Sequence, residues 1–435
     1  MIEDLTSIDR SKKYISIALL IACLIEMVFF FSWENIFGCA ELIYGWSIVS
    51  VFVLKQEYVR WYPLPTIAIF GYAFCYHVLP LFVTLIEGKP LTFNFQVPYS
   101  TFLNQFLFIT TVVVAFRICI RFYNQNNILN RIWNKIGYLT PPSDKIIWIL
   151  GFIGIGCTLV KLSQQGGDFE AQATGNSLGI VINTFSKLSV APVCLLFKEF
   201  YGAEDKTIPY KKVIYYIGLV MLIGIASTRR MMIFNAVVTI MLIGLFSKYY
   251  FDKKIMSTKS FVMVILGIYL ATGPLADLAT AMILSRQRTK TESASKTFDN
   301  VVELYQDKER LHNMYQMAMA STDNGGNNSY SWSEYYVDNI FLDRFCNLRV
   351  LDATIYNAQS LGYSNSKGLK YWETFWINEL PSPVANFFGL KKEVQGTVCD
   401  HMVLNIFGDK YSIFGSKVGG DTGIGLFIFG YWYYI

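Results

Sequence analysis

The chain has 435 residues, of which 53% are hydrophobic, 16% aromatic and only 16% charged, with a net charge of +5 and a mean hydropathy of +0.36. Soluble domains carry about 25% charged residues, so this composition excludes an ordinary soluble enzyme and points to an all-α, polytopic integral membrane protein. The positive balance calls for no nucleic-acid partner, because membrane proteins keep excess lysine and arginine in their cytoplasmic loops.

A helix needs about 20 apolar residues to cross a bilayer. In chain order, spans are expected at Tyr14–Phe31, Phe37–Leu54, Pro63–Ile86, Thr101–Phe116, Ile146–Val160, Leu178–Phe197, Val213–Ser227, Met231–Phe246 and Phe261–Leu284. A tenth begins near Gly423 and runs to Ile435, which makes nine to ten transmembrane helices in all. The first span follows Arg10, Lys12 and Lys13 and precedes further spans, so it reads as a signal anchor. The sixth is the weakest, because it contains Asn183, Lys187 and Pro192.

The positive charges set the orientation. With a cytoplasmic N-terminus, the inside segments carry 18 lysines and arginines and the short outside loops carry 4. The same parity puts residues 285–421 outside, as one large extracytoplasmic loop between a bundle of residues 1–284 and a last membrane segment at 422–435. A structureless loop of that length is unusual, so helices and a site are expected within it. Its Ser321–Ser331 stretch, rich in Gly and Asn, reads as a flexible break.

Arg229 and Arg230 are the exception to the charge rule. They interrupt an apolar run of 34 residues, Val213 to Phe246, on the outer face. As one helix that run would be about 51 Å long against a hydrocarbon core of about 30 Å, so a hairpin or a projecting helix is expected. Arginine offers a planar fork of donors that fits phosphate oxygens, and an arginine within a span usually marks function. Snorkelling to lipid headgroups is the plainer alternative.

Arg286 and Arg288, after the ninth span, emerge on the same face as a second cationic cluster. Asp277, behind Pro274, is a candidate to pair with one of these arginines or to orient a sugar. His401, in the large loop beside Asp400, is the candidate general base; an ordinary surface histidine explains it equally. His77 reads as a helix-packing residue and His312 as solvated. Arg344 and Arg349 are candidates for glycan contact, although ion pairs with Asp343 and Asp352 explain them as well. Glu26 and Glu41 fit buried polar contacts between helices. Of eight cysteines, only Cys346 and Cys399 lie in the large loop, where they are candidates to pair. No Walker loop, GxGxxG, HExxH or GxSxG occurs, so neither a cofactor nor a metal is indicated.

The layout resembles the Wzy-type polysaccharide polymerases of bacteria. It rests on the many spans, the Ser227-Thr228-Arg229-Arg230 turn opening a short apolar helix, one large external loop late in the chain, and Gly419-Gly420-Asp421-Thr422-Gly423-Ile424-Gly425 leading into the next span. The resemblance implies a metal-independent, GT-C-like glycosyltransferase in the bacterial inner membrane. Such an enzyme moves a growing glycan from undecaprenyl pyrophosphate to the next lipid-linked oligosaccharide repeat unit. It implies that Arg229, Arg230, Arg286 and Arg288 hold the pyrophosphate, and it implies membrane lipid and a chain-length regulator protein as partners. The rival readings are an O-antigen ligase, with lipid A core as acceptor, and a flippase or transporter of lipid-linked sugar. A transporter calls for discontinuous spans with polar residues near the midplane, whereas the polar candidates of this sequence gather at one face.

Overall fold

The computed structural model describes residues 6–122, 128–137, 140–163, 177–203, 205–226, 230–251, 269, 273–286, 294–311, 313–314, 336–343, 346–380, 382–392, 398–399, 401–402 and 419–435. All regular structure among them is helical. In chain order, the principal helices are α1 (Ser7–Phe29), α2 (Trp33–Phe52), α3 (Pro63–Ala73), α4 (Leu79–Ile86), α5 (Pro98–Phe122), α6 (Asp144–Ser163) and α7 (Ser177–Ser186). They continue with α8 (Tyr210–Ala226), α9 (Arg230–Tyr250), α10 (Pro274–Arg286), α11 (Ala294–Gln306), α12 (Leu348–Leu361), α13 (Ser366–Glu379) and α14 (Asp421–Phe429).

Among the described residues, three stretches are long and apolar enough to cross a membrane: Trp33–Phe52, Pro63–Ile86 and Pro98–Phe122. At 1.5 Å per residue each is about 30 Å long or more, which matches a hydrocarbon core. On this evidence the chain is a membrane protein.

The chain divides into two compact units. The first comprises Met1–Arg117, Ile265–Ala276 and Tyr315–Ile435. Ser32 caps α2 by accepting from the Asn35 amide at 3.1 Å, and Thr6 caps α1 in the same way through Asp9. Small residues let neighbours approach α2: an added Cβ on Gly38 would lie 2.6 Å from the Phe102 ring, and on Gly45 it would lie 1.8 Å from the His77 ring. Trp46 is buried and donates from Nε1 to Ser16 Oγ at 2.9 Å, joining α2 to α1. Between α3 and α4 the helix widens into a π turn over Phe74–Val78, in which the Leu79 amide reaches back five residues to the Phe74 carbonyl. Pro80 explains the local loosening, since its ring lacks an N–H and crowds the carbonyl four residues earlier.

The second unit comprises Ile118–Val264 and Asp277–Met314. Its centre is α6, packed against a 3₁₀ segment, Lys187–Phe197, that contains Pro192. Gly151 and Gly154 make the approach possible. A Cβ on Gly154 would lie 2.2 Å from the Ser189 backbone nitrogen, and one on Gly151 would lie 2.3 Å from the Pro192 ring. Tyr216 of α8 closes the arrangement by donating to the Ser189 carbonyl at 2.8 Å. The expected sixth span is therefore broken in two, helical to Ser186 and 3₁₀ beyond. Within the 34-residue apolar run, α8 is described to Ala226 and α9 from Arg230, and residues 227–229 lie outside the described residues. Much of the expected ninth span, residues 261–268 and 270–272, lies outside the described residues.

Gly154→Ala is expected to destabilise the protein by about 1–3 kcal/mol, because backbone stands where the methyl must go. Gly156→Ala on the same helix, where an added Cβ meets nothing within 4 Å, should instead gain up to about 1 kcal/mol. Melting of the two variants in detergent checks the contrast; equal melting temperatures would refute the packing described.

Candidate functional site

Five of the residues singled out by sequence are described. Arg230 is the first residue of α9 and Arg286 the last of α10. Arg229, Arg288 and Arg344 lie outside the described residues, as do Asp400 and His312. Asp277, in the first turn of α10, is half-buried and pairs with Lys308 at 3.1 Å. His401 is half-buried, with its ring edge-on to Tyr371 at 5.1 Å. Cys346 and Cys399 are both buried and both free, so the pairing considered from sequence is absent.

Arg349 is 2% exposed and donates from Nη1 to Asp352 Oδ2 at 2.9 Å. It belongs to the interior of the first unit and shows no groove-facing surface. Asp352 is fully buried and collects three further donors from the start of α5 and the two residues before it: the Gln96 amide at 2.7 Å, the Val97 amide at 3.0 Å and the Thr101 hydroxyl at 2.9 Å. Burial pushes the Asp352 carboxyl up from its ordinary range, against the pull of these hydrogen bonds and of the Arg349 charge.

The same end of the first unit is tied at several more points. Glu26, buried in α1, accepts the Leu91 amide at 2.7 Å, and Tyr336 donates to the Leu91 carbonyl at 2.6 Å. Asn35 accepts from the Thr92 amide at 3.2 Å and its hydroxyl at 2.7 Å. Glu87 accepts the Asp338 and Asn339 amides at 2.7 and 3.1 Å, while Lys89 bridges Glu87 and Asp338. Thr354 of α12 accepts from the Gly420 amide at 2.9 Å, and Gly423 lets α14 lie close against Thr354. Residues 87–97 are thus the platform on which the late part of the chain sits.

Two buried polar groups were not given a role by sequence. In the first unit, His77 Nε2 lies 3.1 Å from Glu41 Oε1, with both side chains buried. In the second, the buried Lys161 donates to Ser186 at 3.0 Å and to Asn183. At that unit's polar end, burial works against the charge of Lys198, but its hydrogen bond to Asp144 at 2.5 Å and the charges of Asp144 and Asp205 outweigh burial and hold the ammonium above the usual lysine range. Among the described residues, no three His, Cys, Asp or Glu side chains gather as metal ligands.

Comparison with protein-family models, with curated proteins and with solved structures finds no match.

Removing the carboxylate with Asp352→Ala strands the buried Arg349 charge and should cost about 3–5 kcal/mol. The double variant Asp352→Ala with Arg349→Met should lose much less than the losses of Asp352→Ala and Arg349→Met combined. A melting series on the four proteins measures the coupling, and additive losses would show that the pair does not interact.

Proposed function

We propose that the chain is a polysaccharide polymerase of the bacterial inner membrane. It joins undecaprenyl-pyrophosphate-linked oligosaccharide repeat units on the outer face, with nine to ten spans and a cytoplasmic N-terminus. The observation that carries the reading is the Arg229-Arg230 pair set inside the long apolar run Val213 to Phe246. Arginine presents a planar fork of donors that fits phosphate oxygens bidentately. In this reading Arg229 and Arg230, with Arg286 and Arg288, hold the lipid pyrophosphate and stabilise the negative charge that develops as it leaves. His401 accepts the proton of the attacking sugar hydroxyl. Asp277 orients the acceptor from the start of α10. The all-helical fold and the three long apolar helices support the membrane part of the reading.

A transporter of lipid-linked sugar is the second reading, and specific observations favour it. Glu41 and His77 form a buried ionisable pair within long apolar helices, and two of the apolar stretches are interrupted, one by the π turn and one by the 3₁₀ segment.

Deleting the gene in its native bacterium and running the surface polysaccharide on a gel separates the readings. The polymerase reading expects the ladder to collapse to single repeat units. The wild-type gene should restore it and Arg230→Ala should not. Long chains held on the lipid carrier but missing from lipid A would identify a ligase. An unchanged ladder would refute polymerisation, and repeat units trapped on the cytoplasmic side would identify the transporter.

A further inference from the structure

The Glu41–His77 pair lies inside the first unit, on helices joined or tied at the platform end. Glu41 is eight residues from Trp33, His77 nine from Ile86 and Gln105 seven from Pro98. At 1.5 Å per residue, all three lie about 10–14 Å below the helix ends. Three features hold the imidazole there. The π turn carries His77, Gly45 leaves the space its ring fills, and Glu41 receives Nε2. Single-turn π segments occur often at functional sites.

The pair is not closed on itself. His77 Nδ1 and Glu41 Oε2 make no hydrogen bond, and neither do Gln105 Nε2 and Thr422 Oγ1. His77 and Gln105 are 0% exposed, Thr422 1% and Glu41 5%. Tyr72 links these groups. Its hydroxyl donates to Gln105 Oε1 at 2.9 Å, its ring centroid lies 6.1 Å from that of His77, and Thr422 stands beside its phenol. Thr422 in turn follows Asp421, which is exposed. Each buried polar atom left unpaired costs about 1–3 kcal/mol. Four such atoms around one histidine–carboxylate contact, leading toward an exposed helix start, suit a group that passes protons. Ionisable residues within membrane helices commonly mark proton relays.

We infer that Glu41 and His77 form a proton relay inside the helix bundle, fed by water at the Thr422 end. A hydronium ion gives its proton to His77 Nδ1, forming an N–H bond and leaving water. The Nε2–H bond breaks and its proton passes to Glu41 Oε1. The ring ends as the other neutral tautomer and Glu41 as the neutral acid. This step is independent of whether the protein polymerises or transports glycans.

The test uses the full chain in lipid nanodiscs with ¹⁵N-labelled histidine, and His77→Asn identifies the His77 signals among the three histidines. The relay expects ring nitrogens averaged between the two tautomers. It also expects a ring proton that is replaced in deuterated buffer while the α2 amides around Glu41 stay protected. Glu41→Gln should fix the ring in one tautomer, and Thr422→Val, a smaller change, should slow proton replacement severalfold. A wild-type ring fixed in one tautomer, or a ring proton retained as long as those amides, would overturn the relay, as would a Thr422→Val rate equal to wild type.

Discussion

The carboxylate of Asp352 is the contact on which the first unit depends. It accepts from two backbone amides and a hydroxyl at the start of α5, and from a guanidinium on its own helix. Each donor is one that burial would otherwise leave unpaired. The Gln96 and Val97 amides stand just before Pro98, where a helix has no carbonyl of its own to offer. A negative charge at that point also complements the positive end of the α5 dipole. An isolated buried carboxylate would be costly, and Arg349, three residues earlier on α12, supplies the countercharge. The pair joins residues roughly 250 positions apart in sequence.

Around that contact the interior of the first unit is more polar than its sequence class suggests, and its surface more apolar. Along α1, Ile17, Leu20, Ile21, Leu24 and Val28 are exposed, while Glu26 is fully buried and bonded to Leu91. This inversion is what a lipid environment rewards. Between helices in hydrocarbon, apolar packing alone distinguishes one register from another only weakly, so small-residue notches and hydrogen bonds do the selecting. Gly38 and Gly45 provide the notches, and Glu26, Asn35 and Asp352 provide the bonds.

The three long apolar helices were legible in the sequence because a run of about 20 apolar residues has few other uses. Where the pattern weakened, the structure changed too: Lys187 and Pro192 mark the place where α7 gives way to a 3₁₀ segment. The buried contacts were much less legible. Arg349 and Asp352 were recognisable as neighbours, but an i,i+3 ion pair reads the same on a solvated helix as inside a core. What makes this one internal is a segment near residue 97, and nothing local in sequence records that meeting. Glu41 and His77 lie on different helices, and each alone looks like a tolerated polar residue in an apolar run. Cys346 and Cys399 mislead in the opposite direction, since sharing a loop places no constraint on whether two sulfurs come within bonding distance.

The distribution of polar groups in the first unit separates two kinds of work. Glu26, Asn35, Glu87 and Asp352 face backbone amides or hydroxyls fixed in place. Glu41, His77, Gln105 and Thr422 gather four buried atoms outside any bond around one contact, whereas Glu26 leaves a single such atom, Oε2, on its own. The first set holds residues 87–101 rigidly against α12. The second lies on the helices that this platform terminates, so it is held by a frame that does not need its hydrogen bonds. A group relieved of structural duty in this way is one whose proton can move without loosening the fold.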